Sequence, residues 1–148
     1  MNRALAVVEG TDAAKELVGQ AGELAAAVGA KLVLVHVTTE EEYDDRREEL
    51  ENIPRLETQY SIGQALDGAQ QFARDIGHEV LEDLDVEFEA VGRVGDERDE
   101  ILTVASDYDC DHVFIAGRKR SPTGKAMFGD VTQKVILDFD GPVTVVTV

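Results

Sequence analysis

Apolar runs alternate with amphipathic stretches along the whole chain. Short, nearly continuous apolar runs predict buried strands, and they cover residues 3–8, 31–37, 86–91, 112–117 and 141–148. Between them, apolar positions recur at helical spacing, most strongly from Ile62 to Leu84. Thr11 or Asp12 can cap the first of these helices, and Gly29 ends it.

Strands that alternate with helices predict an α/β fold with a parallel sheet, right-handed crossovers and helices on both faces. Ligands of such sheets bind beyond the carboxyl ends of the strands. Three segments are expected at that edge, namely 9–12, 36–39 and the loop that follows the fourth strand. We expect one domain over residues 1–148, with a mobile acidic insertion or partial helix over 38–61.

Charge and composition narrow the classes of function. The 148 residues include 31 acidic and 14 basic ones, for a formal net charge of -17. Such a surface repels nucleic acid and anionic membranes, and it suits concentrated salt, in which repulsion is screened. No apolar run approaches the roughly 20 residues of a membrane span. We therefore expect a cytoplasmic protein without membrane insertion, from a halophilic archaeon.

One loop contradicts the general acidity. Glycine-flanked and placed between a predicted strand and helix, it carries a cluster of positive charge, formed by Arg118, Lys119, Arg120 and Lys125. The N–H groups at a helix start favour an anion, so the loop suits a di- or triphosphate, although its cations could also simply offset the surrounding acid. The glycine spacing fits neither a Walker A motif nor a dinucleotide fingerprint.

The order of these pieces resembles the universal stress protein family, of the UspA-like group, over essentially the whole chain. The first strand ends in Glu9-Gly10-Thr11, where the family has Asp-Gly-Ser. The second ends in His36-Val37, and the third leads into Gly95-Asp96-Glu97, where the family has Gly-Asp-Pro. The resemblance implies an adenine-nucleotide α-hydrolase-like fold of five parallel strands in the order 3-2-1-4-5.

The resemblance also implies roles for single residues. Backbone around Val7 and Val37 would hold adenine, and Glu9 stands where an Asp usually contacts the nucleoside. ATP-binding members carry G-x2-G-x9-G-[ST] after strand four. The matching or neighbouring positions here are Gly117, Arg118, Lys119, Arg120, Gly124, Lys125, Gly129, Asp130 and Val131.

Three of these positions depart from the family motif. Arg120 stands at the second glycine, Gly129 comes one residue early, and Asp130 replaces the final hydroxyl residue. A carboxylate at that place repels phosphate unless Mg²⁺ bridges the two. Alternatively, Asp130 caps its helix and pairs with Arg118 or Arg120.

The resulting interpretation is a stress-response protein that binds ATP, with Mg²⁺, as a signalling dimer. No catalytic arrangement is visible, so we expect at most slow ATP hydrolysis, and His36 is interpreted as a packed core residue. The apolar last strand predicts a homodimer through Val143 to Val148. A nucleotide-free adaptor that regulates a transporter or other partner, and a nucleotidyl-transfer enzyme, remain as alternatives.

Overall fold

The computed structural model describes residues 1–53, 60–117 and 128–147. This part of the chain forms five strands and five helices, with one helix between successive strands except for two between β2 and β3. Their bounds are β1 Arg3–Val7, α1 Ala13–Val28, β2 Lys31–Thr38, α2 Glu40–Glu51, α3 Ile62–Leu81, β3 Phe88–Val94, α4 Glu97–Asp107, β4 His112–Gly117, α5 Asp130–Asp138 and β5 Val143–Thr147.

The sheet confirms the predicted topology. Its five strands are parallel and lie in the order β3-β2-β1-β4-β5. Strand β1 therefore occupies the centre, with β2 and β4 on either side. The order reverses across β1, so the carboxyl ends of β1, β2 and β4 surround a crevice in which a ligand of this fold would sit.

Alternate residues of the central strands face opposite layers of helices, as the period of two requires. Ala4, Ala6 and Val8 pack with α1 and α3 on one face. Leu5 and Val7 pack with α4 and α5 on the other. The buried strands are thus apolar on both faces, which is why they read as continuous apolar runs in the sequence.

Several predicted boundaries were wrong. Strand β3 begins at Phe88 and continues to Val94, because it pairs with β2 over seven positions. Helix α3 ends at Leu81 rather than Leu84. Asp12 is the residue at the start of α1, but its backbone is helical and its side chain makes no capping hydrogen bond. Gly29 does end α1, in the left-handed conformation.

Residues 40–51, within the predicted acidic insertion, form helix α2. Thr39 caps it by accepting a hydrogen bond from the Glu42 N–H at 3.1 Å. The helix buries none of its residues. The Tyr43 ring packs against Tyr60, with ring centroids 5.4 Å apart, and this contact ties α2 to the chain just before α3.

Candidate functional site

A cleft of about 520 Å³ opens at the carboxyl edge of the sheet. Its walls come from the segments that follow β1, β2 and β4, together with the starts of α4 and α5 and one residue of α2. The predicted site residues that line it are Glu9, Val37, Gly117, Gly129, Asp130 and Val131. Val7 is buried in the core and is not among the lining residues.

The basic cluster falls in a stretch, residues 118–127, that lies outside the described part of the chain. The predictions for Arg118, Lys119, Arg120, Gly124 and Lys125 therefore remain predictions from sequence. The residues on either side of this stretch, Gly117 and Phe128, both line the cleft.

One end of the cleft, which we call the helix end, is formed by Gly129, Asp130 and Thr132. Gly129 precedes α5 with φ 83° and ψ 160°, a backbone conformation that residues other than glycine rarely adopt. Its carbonyl accepts from the Gln133 N–H at 3.1 Å. The N–H groups of the first turn of α5 have no partner within the helix, as at any helix start, so this end favours an anion.

Thr132 fixes the helix end to the sheet. Its buried hydroxyl donates to the Ala116 carbonyl oxygen at 2.8 Å. Gly117 is required by close packing, because a Cβ added there would lie 2.5 Å from Val145 Cγ1. Sequence reasoning assigned Gly117 to the approach of the backbone toward a ligand. It did not single out Thr132, although the position of this Thr in the first turn of a predicted helix could have indicated it.

Asp130 is the first residue of α5 and is exposed. It is not the capping residue, since Gly129 occupies that position and no side chain caps the helix start. The alternative in which Asp130 caps α5 was therefore wrong. Its carboxylate is close enough to Arg98 of α4 to help raise the pKa of that guanidinium, after the larger effect of Asp96. Its predicted pairing with Arg118 or Arg120 involves residues outside the described ranges.

A second part of the cleft, which we call the acidic end, is formed by Glu42 of α2 and Glu97 of α4, and Glu9 also lines the cleft. Burial, together with the smaller effects of the Glu9, Glu42 and Asp96 carboxylates, raises the pKa of Glu97 to about 7. Sequence reasoning quoted Glu97 only as part of a turn and treated Glu42 as solvated surface. The sequence feature that could have indicated Glu97 is its place at the end of the turn that follows the third strand.

His36 and Phe72 also line the cleft. The His36 ring donates from Nδ1 to the Val8 carbonyl oxygen at 2.6 Å, since a carbonyl can only accept. The same ring packs on Phe72 of α3 with centroids 4.5 Å apart. His36 is thus the packed, hydrogen-bonded residue that the sequence predicted, and it also borders the cleft.

No cluster of three or more His, Cys, Asp or Glu residues in the described ranges has the geometry to hold a metal ion. No helix within those ranges is both long and apolar enough to cross a membrane.

The chain was compared with known proteins. The sequence profile described as "Universal stress protein family" matches residues 1–147. A universal stress protein from Archaeoglobus fulgidus is 27% identical, with a TM-score of 0.60 over 98% of this chain and 97% of that one. No curated protein sequence matches significantly.

Two further solved structures hold nucleotides. A universal stress protein in complex with cAMP is 16% identical, with a TM-score of 0.63 over 99% of this chain and 96% of that one. A universal stress protein from Archaeoglobus fulgidus in complex with dAMP is 22% identical, with a TM-score of 0.54 over 98% of this chain and 96% of that one. At these identities the likeness to this chain is one of fold.

Proposed function

Because the chain belongs to the universal stress protein family, we propose that it binds an adenine nucleotide, with ATP as its ligand, in the cleft at the carboxyl edge of the sheet. The observation that carries the proposal is the glycine start of α5, which lines the cleft and whose first-turn N–H groups have no partner within the helix. Relatives of the same fold in complex with cAMP and dAMP support it.

The ends of the cleft suggest how the nucleotide lies. Phosphates would occupy the helix end, where the α5 dipole and the basic loop both attract negative charge. The base would then lie across β1, beside the Val37 backbone, and the ribose would face Glu9. Strands β2 and β4 are two spacings apart, about 10 Å, which is comparable to the length of a nucleoside.

Mg²⁺ fits this arrangement as an ion that arrives with the nucleotide. Asp130 is an exposed carboxylate at the helix end, and Mg²⁺ is commonly held by one or two carboxylates together with substrate phosphates. The ion would offset the repulsion between Asp130 and the phosphates. Its binding would therefore depend on the nucleotide.

A calorimetric titration of ATP with Mg²⁺ in molar KCl tests the proposal. Replacing both Arg118 and Arg120 by Ala is expected to weaken binding by about tenfold or more, because charge-assisted contacts contribute roughly 1.5–3 kcal/mol before screening. The control removes the same charge from exposed Lys31, at the far end of β2, and from exposed Arg74 of α3. That control is expected to bind ATP as the unaltered protein does.

Absence of heat, together with an empty cleft after a soak at millimolar ATP, would contradict nucleotide binding. The protein would then be assigned to the second class, a nucleotide-free dimeric adaptor. With ATP bound, occupancy of the cleft is the signal, and hydrolysis is at most slow, because no catalytic base or nucleophile is assigned in the cleft.

The proposed assembly is a homodimer through the last strand. Within the described residues, β5 hydrogen-bonds to β4 alone and so leaves one edge open. Helix α5, which leads into β5, leaves the Leu137 side chain 80% exposed. A two-fold copy of β5 would pair the edge from Val143 to Thr147. A strict monomer by light scattering, at micromolar protein in high salt, would exclude this dimer.

The acidic surface points to a cytoplasm rich in salt. At molar KCl the Debye length is about 3 Å, so repulsion among the excess carboxylates is strongly screened. We expect the melting temperature to rise steeply between dilute buffer and molar KCl. A melting temperature that stays constant over this range would favour an origin in ordinary salt.

A further inference from the structure

Glu97 is held in place at the acidic end by the turn that connects β3 to α4. The Gly95 N–H donates to the Thr38 carbonyl oxygen at 3.0 Å, which fastens this turn to the end of β2. Asp96 caps α4 by accepting from the Asp99 N–H at 3.2 Å. Glu97 therefore begins the helix beside Val37, with its half-buried side chain lining the cleft.

The groups around Glu97 are mostly acidic. Glu9 faces it from the end of β1, Glu42 from α2, and Asp96 from its own helix start. Arg98, the basic residue nearest to Glu97 in the sequence, forms an ion pair with Asp96 at 3.3 Å. His36 and Asp130 border the same cleft farther along. With a pKa of about 7, Glu97 exists near neutrality as a mixture of acid and carboxylate.

The two forms of a carboxyl group offer different hydrogen bonds. A neutral acid has one O–H donor and one carbonyl acceptor, whereas a carboxylate can only accept. The neutral form matches the Watson–Crick edge of adenine, whose N1 accepts and whose amino group donates. The carboxylate matches guanine, whose N1–H and amino group both donate. It does not match adenine N1, because both groups are hydrogen-bond acceptors and their lone pairs repel each other.

Resting on the proposed function, we propose that Glu97 is a specificity-determining residue that hydrogen-bonds to the edge of the nucleobase, so that its neutral form selects adenine and its ionised form favours guanine. If the phosphates occupy the helix end, a base beside the Val37 backbone would share the cleft with Glu97, which lines it together with Val37. The cleft would then bind adenine nucleotides best on the acid side of neutrality.

The test measures the ratio of the dissociation constants of GTP and ATP by calorimetry, from about pH 6 to about pH 8, a range centred on the pKa of Glu97. Phosphate protonation affects the affinity of both nucleotides alike, because both carry a triphosphate, so its effect cancels in the ratio. For the unaltered protein we expect the ratio to fall about tenfold as the pH rises, since one good hydrogen-bonded pair is worth about that much.

Two variants isolate Glu97. In Glu97→Gln the amide does not titrate, so the ratio should stay constant with pH, and ATP should remain bound on the alkaline side. Asp99→Asn is the matched control, because it removes one charge from the same turn of α4 at an exposed residue that does not line the cleft. It should keep the pH profile of the unaltered protein.

The outcomes separate this inference from the proposed function. ATP binding with a ratio that does not change with pH, or with the same change in Glu97→Gln, would overturn the role of Glu97 and leave nucleotide binding intact. Failure of both nucleotides to bind at every pH would overturn both. A pH-dependent ratio that is lost in Glu97→Gln and kept in Asp99→Asn supports the proposal.

Discussion

The two ends of the cleft are built in opposite ways. At the helix end, Gly129 and the bond from Thr132 to the sheet set the start of α5, whose peptide dipole favours an anion beside the exposed Asp130 carboxylate. At the acidic end, Glu42 and Glu97 bring side-chain carboxylates from two separate helices. The difference shows that the cleft combines a helix start, which favours an anion, with carboxyl groups that can bond to hydrogen-bond donors of a ligand.

Removing the glycine at the helix end should have the largest effect on this contrast. Gly129→Ala places a side chain at φ 83° and ψ 160°, and strain of this kind costs about 1–3 kcal/mol of folding free energy. Urea unfolding measures the loss. Gly10→Ala is the control, because Gly10 also lines the cleft but, among the described residues, no atom beyond its chain neighbours lies within 4 Å of an added Cβ, and it should change stability little.

If α5 relaxes to relieve the strain, its N–H groups will no longer face the cleft. Gly129→Ala should then also lose ATP affinity. A variant as stable as Gly10→Ala would show that the Gly129 conformation is not required and would weaken the comparison.

The acidic end should respond to pH through Glu97. Its pKa is raised from 4.5 to about 7 in the folded protein, so the folded state holds the proton more tightly than the unfolded chain does. Stability from this group is therefore full below about pH 4.5, falls as the pH rises, and reaches its lowest value above about pH 7. Glu97→Gln removes that loss.

We expect Glu97→Gln to be more stable than the unaltered protein by about 1–2 kcal/mol near pH 8, after a discount for the partial exposure of Glu97. Near pH 5 the two proteins should unfold at about the same urea concentration. The difference in stability between Asp99→Asn and the unaltered protein should not change with pH between these limits. A stability difference that is the same at both pH values would mean that Glu97 is solvated like an ordinary surface carboxyl.

The smallest effect is expected where the helix end is attached to the sheet. Thr132→Val keeps the shape of the side chain but removes the hydrogen bond to the Ala116 carbonyl, at a cost of about 1 kcal/mol. Thr103→Val makes the same chemical change at an exposed position of α4 and should cost less. Equal effects of the two substitutions in urea unfolding would show that the Thr132 hydroxyl does not anchor α5.

The sequence predicted the helix end better than the acidic end, for a physical reason. Gly117, Gly129 and Asp130 lie close together in the chain, in one strand–loop–helix unit whose local pattern is readable. Glu9, Glu42 and Glu97 follow three different strands. Only the parallel pairing of β1, β2 and β3, which aligns their carboxyl ends, brings these carboxylates around one cleft.

By itself, the sequence determined the alternation of strands and helices, because buried strands and amphipathic helices have distinct periods. With the family resemblance it also indicated the strand order. The tertiary structure decided the rest. It extended β3 to Val94 by pairing with β2, left Val7 in the core away from the cleft, and raised the pKa of Glu97 by burial beside other carboxylates. Burial and proximity between distant segments depend on packing in three dimensions, and no local pattern of residues encodes them.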